Sequence, residues 1–312
     1  MSYSNSIIFG PIPSRRFGIS LGVDLSPSSK QCNFDCLYCE LERAKTVDNM
    51  SIYPTVSDVM IAINESLEKH PKIDVITITA NGEPTLYPKL NELINEINKV
   101  KGKTKTLILS NGSTIYKKDT FDTLLNFDTV KLSLDCVSEK CFKKLDRIHN
   151  NIDTKKIVES MIAFSKRTNN QFVLEILFVK DLNDKTEEIN LLYDAVKKIN
   201  PDRVDIGTID RPPAYDVKPV SFETLENVAN KFVGINVNIA YKNRPKQTNS
   251  FSEEEIISML KRRPLTIEDI ENLFDDLSKK NLKKLVEKKL ILTINSSGVI
   301  FYKIFEKKPK IS

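Results

Sequence analysis

Asp74 to Pro84, DVITITANGEP, is the stretch that decides the fold: β-branched residues broken off by a turn. Asp74 to Thr79 predicts a strand. Before it, Val56, Val59, Met60, Ile63 and Leu67 recur at helical spacing, with Thr55 or Ser57 placed to cap the first turn. After it, Leu90, Leu93, Ile94, Ile97 and Val100 mark a helix, and TLILS (Thr106 to Ser110) a strand. The alternation continues through a short helix near Asp119 to Leu125, the strand VKLSLD (Val130 to Asp135), a helix over Asp153 to Ser165 and the strand FVLEILFV (Phe172 to Val179). A helical face of Ile189, Leu192, Tyr193, Val196 and Ile199 then precedes the strand VDIGTI (Val204 to Ile209). With SLGVDL (Ser20 to Leu25) as the first, six strands result, and VNVNIAY from Val237 offers a seventh.

Strands alternating with helices predict a parallel sheet with helices packed outside it, open or curled into a barrel. Thr77, Thr79, Lys131, Ser133, Asp135 and Glu175 put polar groups at alternate positions. Burying these under helices is costly, so their face is expected to line a water- or ligand-filled interior. Active sites of such folds sit at the C-terminal strand ends. Asn81-Gly82-Glu83-Pro84-Thr85 occupies one such end, Ser110-Asn111-Gly112 the next, Ser133 and Asp135 the one after, and Glu175 and Lys180 flank the following exit. Each alone also reads as a plain turn or a solvated pair.

Upstream lies CNFDCLYC, with Cys32, Cys36 and Cys39 spaced C-x3-C-x2-C in a polar loop. Thiolates are the ligands that iron–sulfur clusters take. Three on one loop can hold three irons of a [4Fe–4S] cube and leave the fourth open, as a catalytic centre requires. A zinc knuckle would want a histidine at finger spacing, and neither His70 nor His149 has it. Five cysteines, an odd count, fit a disulfide framework poorly. Ordinary buried thiols are the remaining reading, and it is the one given to Cys136 and Cys141.

The triplet, with Tyr38 before its last cysteine and NGEP some forty residues on, resembles the radical S-adenosylmethionine (SAM) superfamily. The resemblance implies a partial (βα)6 barrel with SAM across the strand tops, its methionine end on the open iron. It implies contacts to SAM from Tyr38, Asn81, Gly82, Glu83, Pro84, Ser110, Asn111, Ser133 and Asp135. Asn81 stands where the family usually has glycine. GPIPSRRFG (Gly10 to Gly18) and DRPPA (Asp210 to Ala214) look like the branch akin to the archaeal tRNA-wyosine synthases. Arg15, Arg16 and Arg211 in these segments are candidates to clamp a carboxylate or phosphate. No cysteine precedes Cys32, so the extra upstream triplet of those synthases is missing.

At 312 residues, with 40% apolar and 29% charged residues, the chain has room for one large α/β domain and a small appendage. No apolar run reaches membrane-spanning length, and the start MSYSNSIIFG lacks signal-peptide features. The expectation is a cytoplasmic protein whose thiols stay reduced. A net charge of +5 permits a nucleic-acid partner without requiring one.

Residues 1–243 are expected to form the barrel, 244–250 a linker and 251–312 a winged-helix-like domain. That domain reads as a helix from Ser252, a second over Thr266 to Leu277, a third over Ser278 to Lys289, and a hairpin turning at Ser296 to Gly298. The third helix carries Lys279, Lys280, Lys283, Lys284, Lys288 and Lys289, suited to phosphates or simply a solvated face. The leading expectation is an enzyme using a [4Fe–4S] cluster to cleave SAM reductively into methionine and a 5′-deoxyadenosyl radical. Flavodoxin or ferredoxin would supply the electron, and an RNA, a protein or a small metabolite would be the substrate. The rival is an iron–sulfur DNA-binding regulator, in which NGEP and the polar strand ends have no task.

Overall fold

The computed structural model describes residues 7–14, 16–239, 248–262, 264–296 and 299–305. Its main sheet has eight strands in simple sequential order. They are β1 (Ile8–Ser14), β2 (Gly18–Asp24), β3 (Val75–Thr79), β4 (Lys105–Ser110), β5 (Thr129–Ser133), β6 (Gln171–Phe178), β7 (Arg203–Thr208) and β8 (Val237–Ile239). Strands β2 to β8 run parallel, and β1 pairs antiparallel with β2. The seven strands read from the sequence are therefore present. The eighth, β1, overlaps the GPIPSRRFG segment, to which the sequence reading gave no strand. Its Gly10 and two prolines look like loop punctuation, and a register shift between Phe9 and Ile12 accommodates them.

Helices α1 (Val56–Lys69), α2 (Leu90–Val100), α3 (Lys118–Leu124), α4 (Thr154–Arg167), α5 (Thr186–Ile199) and α6 (Phe222–Lys231) fall between successive strands. Thr55 caps α1 through a capping box with Asp58, as its position predicts. Val59 and Ile63 of α1 join Leu93, Ile94 and Ile97 of α2 against Ile76, Ile78 and Ile108 of the sheet, all fully buried. Each such side chain contributes on the order of 1.5–3 kcal/mol by leaving water.

The two sheet faces differ, and the register shows how. Ile76, Ile78, Val130, Leu132, Leu174 and Ile206 point toward the helices and are buried. The opposite face carries Ser20, Thr77, Lys131, Ser133, Glu175 and Asp205, with Ser133, Glu175 and Asp205 side by side. Leu109 on that face is 37% exposed. Polar alternation along the strands thus marks a face without helices, as expected.

After residue 247, a second core gathers Phe251, Ile256, Met259, Leu260, Leu265, Ile270, Leu273, Phe274, Leu282, Leu285, Ile291 and Phe301. It is built from α7 (Glu253–Arg262), β9 (Leu265–Thr266), α8 (Ile267–Leu273), α9 (Asp276–Glu287), β10 (Ile291–Ser296) and β11 (Val299–Ile304). The strands form an antiparallel sheet in the order β10-β11-β9. Helix α8 is shorter than expected. Asn249 donates to the Leu273 carbonyl at 2.8 Å and accepts from Asp275 N at 3.2 Å, which breaks the helix at Phe274. Asp275 then caps α9. The expected turn at Ser296 to Gly298 falls partly outside the described residues. Ile12 and Phe9 of β1 pack into this second core, so the C-terminal elements cover the edge strand. Among the described residues, no helix is long and apolar enough to cross a membrane.

Candidate active site

The cysteine loop crosses the strand tops because its backbone is sewn to the NGEP turn. Gln31 N donates to Asn81 O at 2.9 Å, and Glu83 N donates to Gln31 O at 3.0 Å. Gly82 lies between these bonds with φ +138°, and a Cβ there would stand 1.9 Å from the Gln31 carbonyl oxygen. The glycine is required by backbone contact as well as by its dihedral. Cys32, Cys36 and Cys39 are all free thiols and partly buried.

Glu83 is 1% exposed and ties this turn to the next strand end. Its Oε1 accepts from Thr85 N (2.9 Å), Thr85 Oγ1 (2.6 Å) and Ser110 Oγ (2.7 Å). Its Oε2 accepts from Asn111 N at 2.7 Å. Burial pushes the Glu83 carboxyl above its ordinary value, and those four bonds pull it back. The Asn111 side chain donates to Asn33 Oδ1 at 2.9 Å and reaches Cys32 Sγ at 3.8 Å. Pro84 opens the short turn Pro84–Leu86 behind Glu83. Asn81 N is held by Asp24 Oδ1 at 2.7 Å.

A second group joins the loop's other end to β5. The Tyr38 hydroxyl donates to Asp135 Oδ2, and Leu177 N donates to Asp135 Oδ1 at 2.6 Å. Burial raises the Asp135 carboxyl to about 7, and Glu175 on the same face adds to the rise. Ser133 sits one step below Asp135, in register with Glu175.

Several sulfur contacts suit a metal cluster. Phe34 N donates to Cys32 Sγ at 3.4 Å, and Lys30 Nζ reaches Cys39 Sγ at 3.5 Å. Burial and the Glu83 charge push the bare Cys32 thiol up to about 12, and burial raises Cys36 and Cys39 as well. Thiolates persist there only with cationic partners, which iron supplies. The donor set of three thiolates on a half-buried loop fits a cluster better than three idle thiols.

Other expectations change. Arg16 is not a free clamp. It pairs with Asp205 at 3.1 Å and Glu175 at 3.3 Å on the polar face, where Lys131 meets the same two acids. Arg211 is held by Glu40 at 3.0 Å, next to Cys39. Arg15 lies outside the described residues. Lys180 is exposed, with no side-chain partner among the described residues. Cys136 and Cys141, read as ordinary thiols, are joined in a disulfide. Sequence reading missed Gln31 and Asn33, both buried. Gln31 anchors Ser51 and Ile52 backbone groups, and Asn33 donates to Ser113 Oγ at 2.7 Å. Their position beside Cys32 is the signal that was available.

A polar, largely buried sheet face beneath a loop of free cysteines suits chemistry at the strand tops. The chain belongs to the radical SAM superfamily, whose family model matches residues 26–193. Among curated relatives, the UPF0026 protein of Helicobacter pylori (strain J99) is 41% identical over 96% of this chain and 98% of that one. The UPF0026 protein of Methanocaldococcus jannaschii is 30% identical over 95% of each. Among solved structures, Streptococcus suis SuiB bound to S-adenosylmethionine superposes with a TM-score of 0.54 at 19% identity. The match covers 68% of this chain and 49% of SuiB, and it bears on the fold alone. The superfamily read from CNFDCLYC and NGEP is borne out, and with it an enzyme.

Proposed function

We propose that Cys32, Cys36 and Cys39 hold a [4Fe–4S] cluster with one open iron, and that SAM binds across the neighbouring strand ends. The observation that carries this is Asn111. Its side chain touches Cys32 Sγ while its backbone N–H holds Glu83, so both motifs meet at one residue. Together, cluster and SAM supply one-electron reductive cleavage and, through it, hydrogen abstraction from a substrate.

The chain's own groups orient and shield. Glu83 Oε2 has acceptor capacity left after Asn111 N and takes the methionine ammonium. The carbonyls of Asn81 and Gly82, fixed by Pro84, lie on the same turn. Ser110 and Asn111 stand near the methionyl group, and Ser133 and Asp135 near the ribose. Tyr38, anchored on Asp135, covers the loop's end. The polar face below, from Ser133 to Glu175, receives the substrate.

Residues 251–312 are read as a winged-helix-like unit, joined through 244–250 to a partial barrel at 1–243. Its order of helix, short strand, two helices and a strand pair supports this. On α9 and just past its end, Lys279 and Lys288 are engaged by Glu271 and Glu253, while Lys280, Lys283, Lys284 and Lys289 are exposed. That exposed basic face favours a macromolecular substrate with phosphates, and an oxygen-sensitive cluster on reduced thiols favours the cytoplasm as the site of action. The regulator reading leaves the Glu83 and Asp135 arrangements without a task.

Anaerobic reconstitution with iron and sulfide, then SAM and dithionite, should yield 5′-deoxyadenosine and methionine. Reconstituted protein that carries a cluster yet forms neither would refute the reading.

A further inference from the structure

The Lys30 side chain is only 5% exposed, an uncommon place for an ammonium group. Its backbone is fixed on both sides. Ser26 Oγ donates to Ser29 O at 2.6 Å, and Gln31 bonds the NGEP turn through both its N and its O. From there Nζ reaches Cys39 Sγ at 3.5 Å, the only hydrogen bond the Lys30 side chain makes among the described residues. Cys39 is held as well: its N donates to Cys36 O at 3.1 Å, and its O accepts from Ala214 N at 2.8 Å. Donor and sulfur thus meet from two anchored stretches of backbone.

A cation kept from water is costly unless an opposite charge answers it. Among the described residues, the carboxylate within 4.0 Å of Nζ is Asp35, whose Oδ1 lies at 3.9 Å and accepts no hydrogen bond. Asp35 Oδ2 already accepts from the Tyr215 hydroxyl at 2.6 Å and pairs with Arg147 at 3.3 Å, so that charge is shared. What remains for Lys30 is the Cys39 sulfur, which is negative once it ligates a metal. The sulfurs are also treated unequally. Cys32 Sγ meets the Phe34 N–H and the Asn111 amide, both neutral donors, whereas Cys39 Sγ meets a full positive charge.

We propose that Lys30 is a positioning residue that acts through Cys39 to raise the reduction potential of the cluster. The inference rests on the cluster assignment above. One electron enters the cluster from an external one-electron donor, and no bond is made or broken. That electron increases the negative charge which the ammonium faces, so a charge-assisted hydrogen bond to a ligand sulfur favours the reduced state over the oxidised one. With Lys30 in place, a less strongly reducing donor suffices than for three sulfurs that meet neutral groups alone.

The test takes full-length wild type, Lys30→Met and Lys30→Arg, each reconstituted anaerobically with iron and sulfide. Potentiometric titration follows the reduced cluster by electron paramagnetic resonance. At the wild-type midpoint, Lys30→Met should show a reduced-to-oxidised ratio about tenfold lower, which is about 59 mV for one electron. Lys30→Arg keeps a charged donor and should bring the ratio back to within about twofold. A wild-type midpoint in Lys30→Met would overturn the proposal. So would a drop in Lys30→Arg as large as that in Lys30→Met, because packing and not charge would then be responsible. Thermal unfolding of the cluster-free proteins gives a measurement that does not depend on loading. Without the cluster the buried ammonium lacks its partner, so Lys30→Met should unfold at the wild-type temperature or above it. Unfolding several degrees lower would make Lys30 a structural partner of Asp35 and overturn the proposal, whether or not the variant loads. Failure of the cluster reading shows separately, as a wild type that takes up no cluster or cleaves no SAM with dithionite.

Discussion

Gly82 and Gln31 touch backbone to backbone, and this contact seats the whole cysteine loop. A methyl group on Gly82 would meet the Gln31 carbonyl carbon at 2.4 Å as well as its oxygen, and the φ of +138° already excludes an ordinary side chain. Gly82→Ala is therefore expected to unseat Gln31 and Cys32 together. Cluster loading, read by absorbance after reconstitution, should fall sharply, and thermal unfolding should shift down by several degrees, as about 1–3 kcal/mol of backbone strain implies. Full loading in Gly82→Ala would show that the loop is positioned by something else.

The ligand assignment separates two sets of cysteines. Cys32→Ala, Cys36→Ala and Cys39→Ala should each abolish the brown absorbance and all SAM cleavage. Cys136→Ala and Cys141→Ala should retain both, since that pair is bonded to itself behind β5. Bleaching by Cys141→Ala as complete as by Cys36→Ala would mean the cluster is held differently.

Glu83 has two duties, and two substitutions separate them. Glu83→Ala strands Ser110 Oγ, Thr85 and Asn111 N without an acceptor, at a cost of about 1–3 kcal/mol of stability. Glu83→Gln keeps most of that scaffold but removes the charge offered to the methionine ammonium. SAM affinity by calorimetry should then fall about tenfold to a hundredfold with the cluster still loaded, matching the roughly 1.5–3 kcal/mol of a charge-assisted hydrogen bond. Wild-type affinity in Glu83→Gln would leave NGEP a structural turn and nothing more.

Asp135 predicts a pH dependence of stability. Burial raises its carboxyl from 3.8 to about 7, so between those values the folded state holds a proton that the unfolded chain has released. Its contribution to stability is complete below about pH 4, declines as pH rises, and is lost above about pH 7, with a slope approaching about 1.4 kcal/mol per unit. Denaturant titration of cluster-free protein from about pH 4 to 7 should show this fall, and Asp135→Asn should flatten it. The amide oxygen still accepts from Leu177 N or Tyr38, so the variant should fold. An identical slope in wild type and variant would assign the dependence to other groups.

What was legible in the sequence follows from what is local. The parallel strands showed themselves by β-branched runs between helical periods, and the polar inner face by Thr77, Lys131 and Glu175 at alternate positions. The pairing of Cys32 with Asn111 and of Tyr38 with Asp135 was reachable because each residue marks a strand end or a motif. Arg16 was misread because its partners, Glu175 and Asp205, sit on strands far along the chain, and an arginine's spacing says nothing of such pairs. Strand β1 was missed because its pairing with β2 tolerates the prolines that read as a loop.

The last prediction concerns the C-terminal unit, for which the structure sharpens a simple truncation test. Every proposed cofactor contact lies before residue 210, so radical chemistry should not need residues beyond 250. Yet Ile12 and Phe9 of β1 pack into the second core, and Glu255 pairs with Lys69 at 2.7 Å. Ending the chain near Asn249 would bare an apolar edge strand, so that variant should aggregate more readily than it loses chemistry. Reversing charge at Lys280, Lys283 and Lys284 avoids this problem, because all three are exposed and none is in an ion pair among the described residues. The triple glutamate variant should cleave SAM with dithionite at the wild-type rate. If the substrate is an RNA, its affinity should drop, and the slope of log K against log salt should flatten by roughly 0.7–0.9 for each phosphate no longer neutralised by a lysine. Unaltered, salt-independent behaviour with RNA in both proteins would remove α9 as a phosphate-binding face and leave a protein substrate as the better fit.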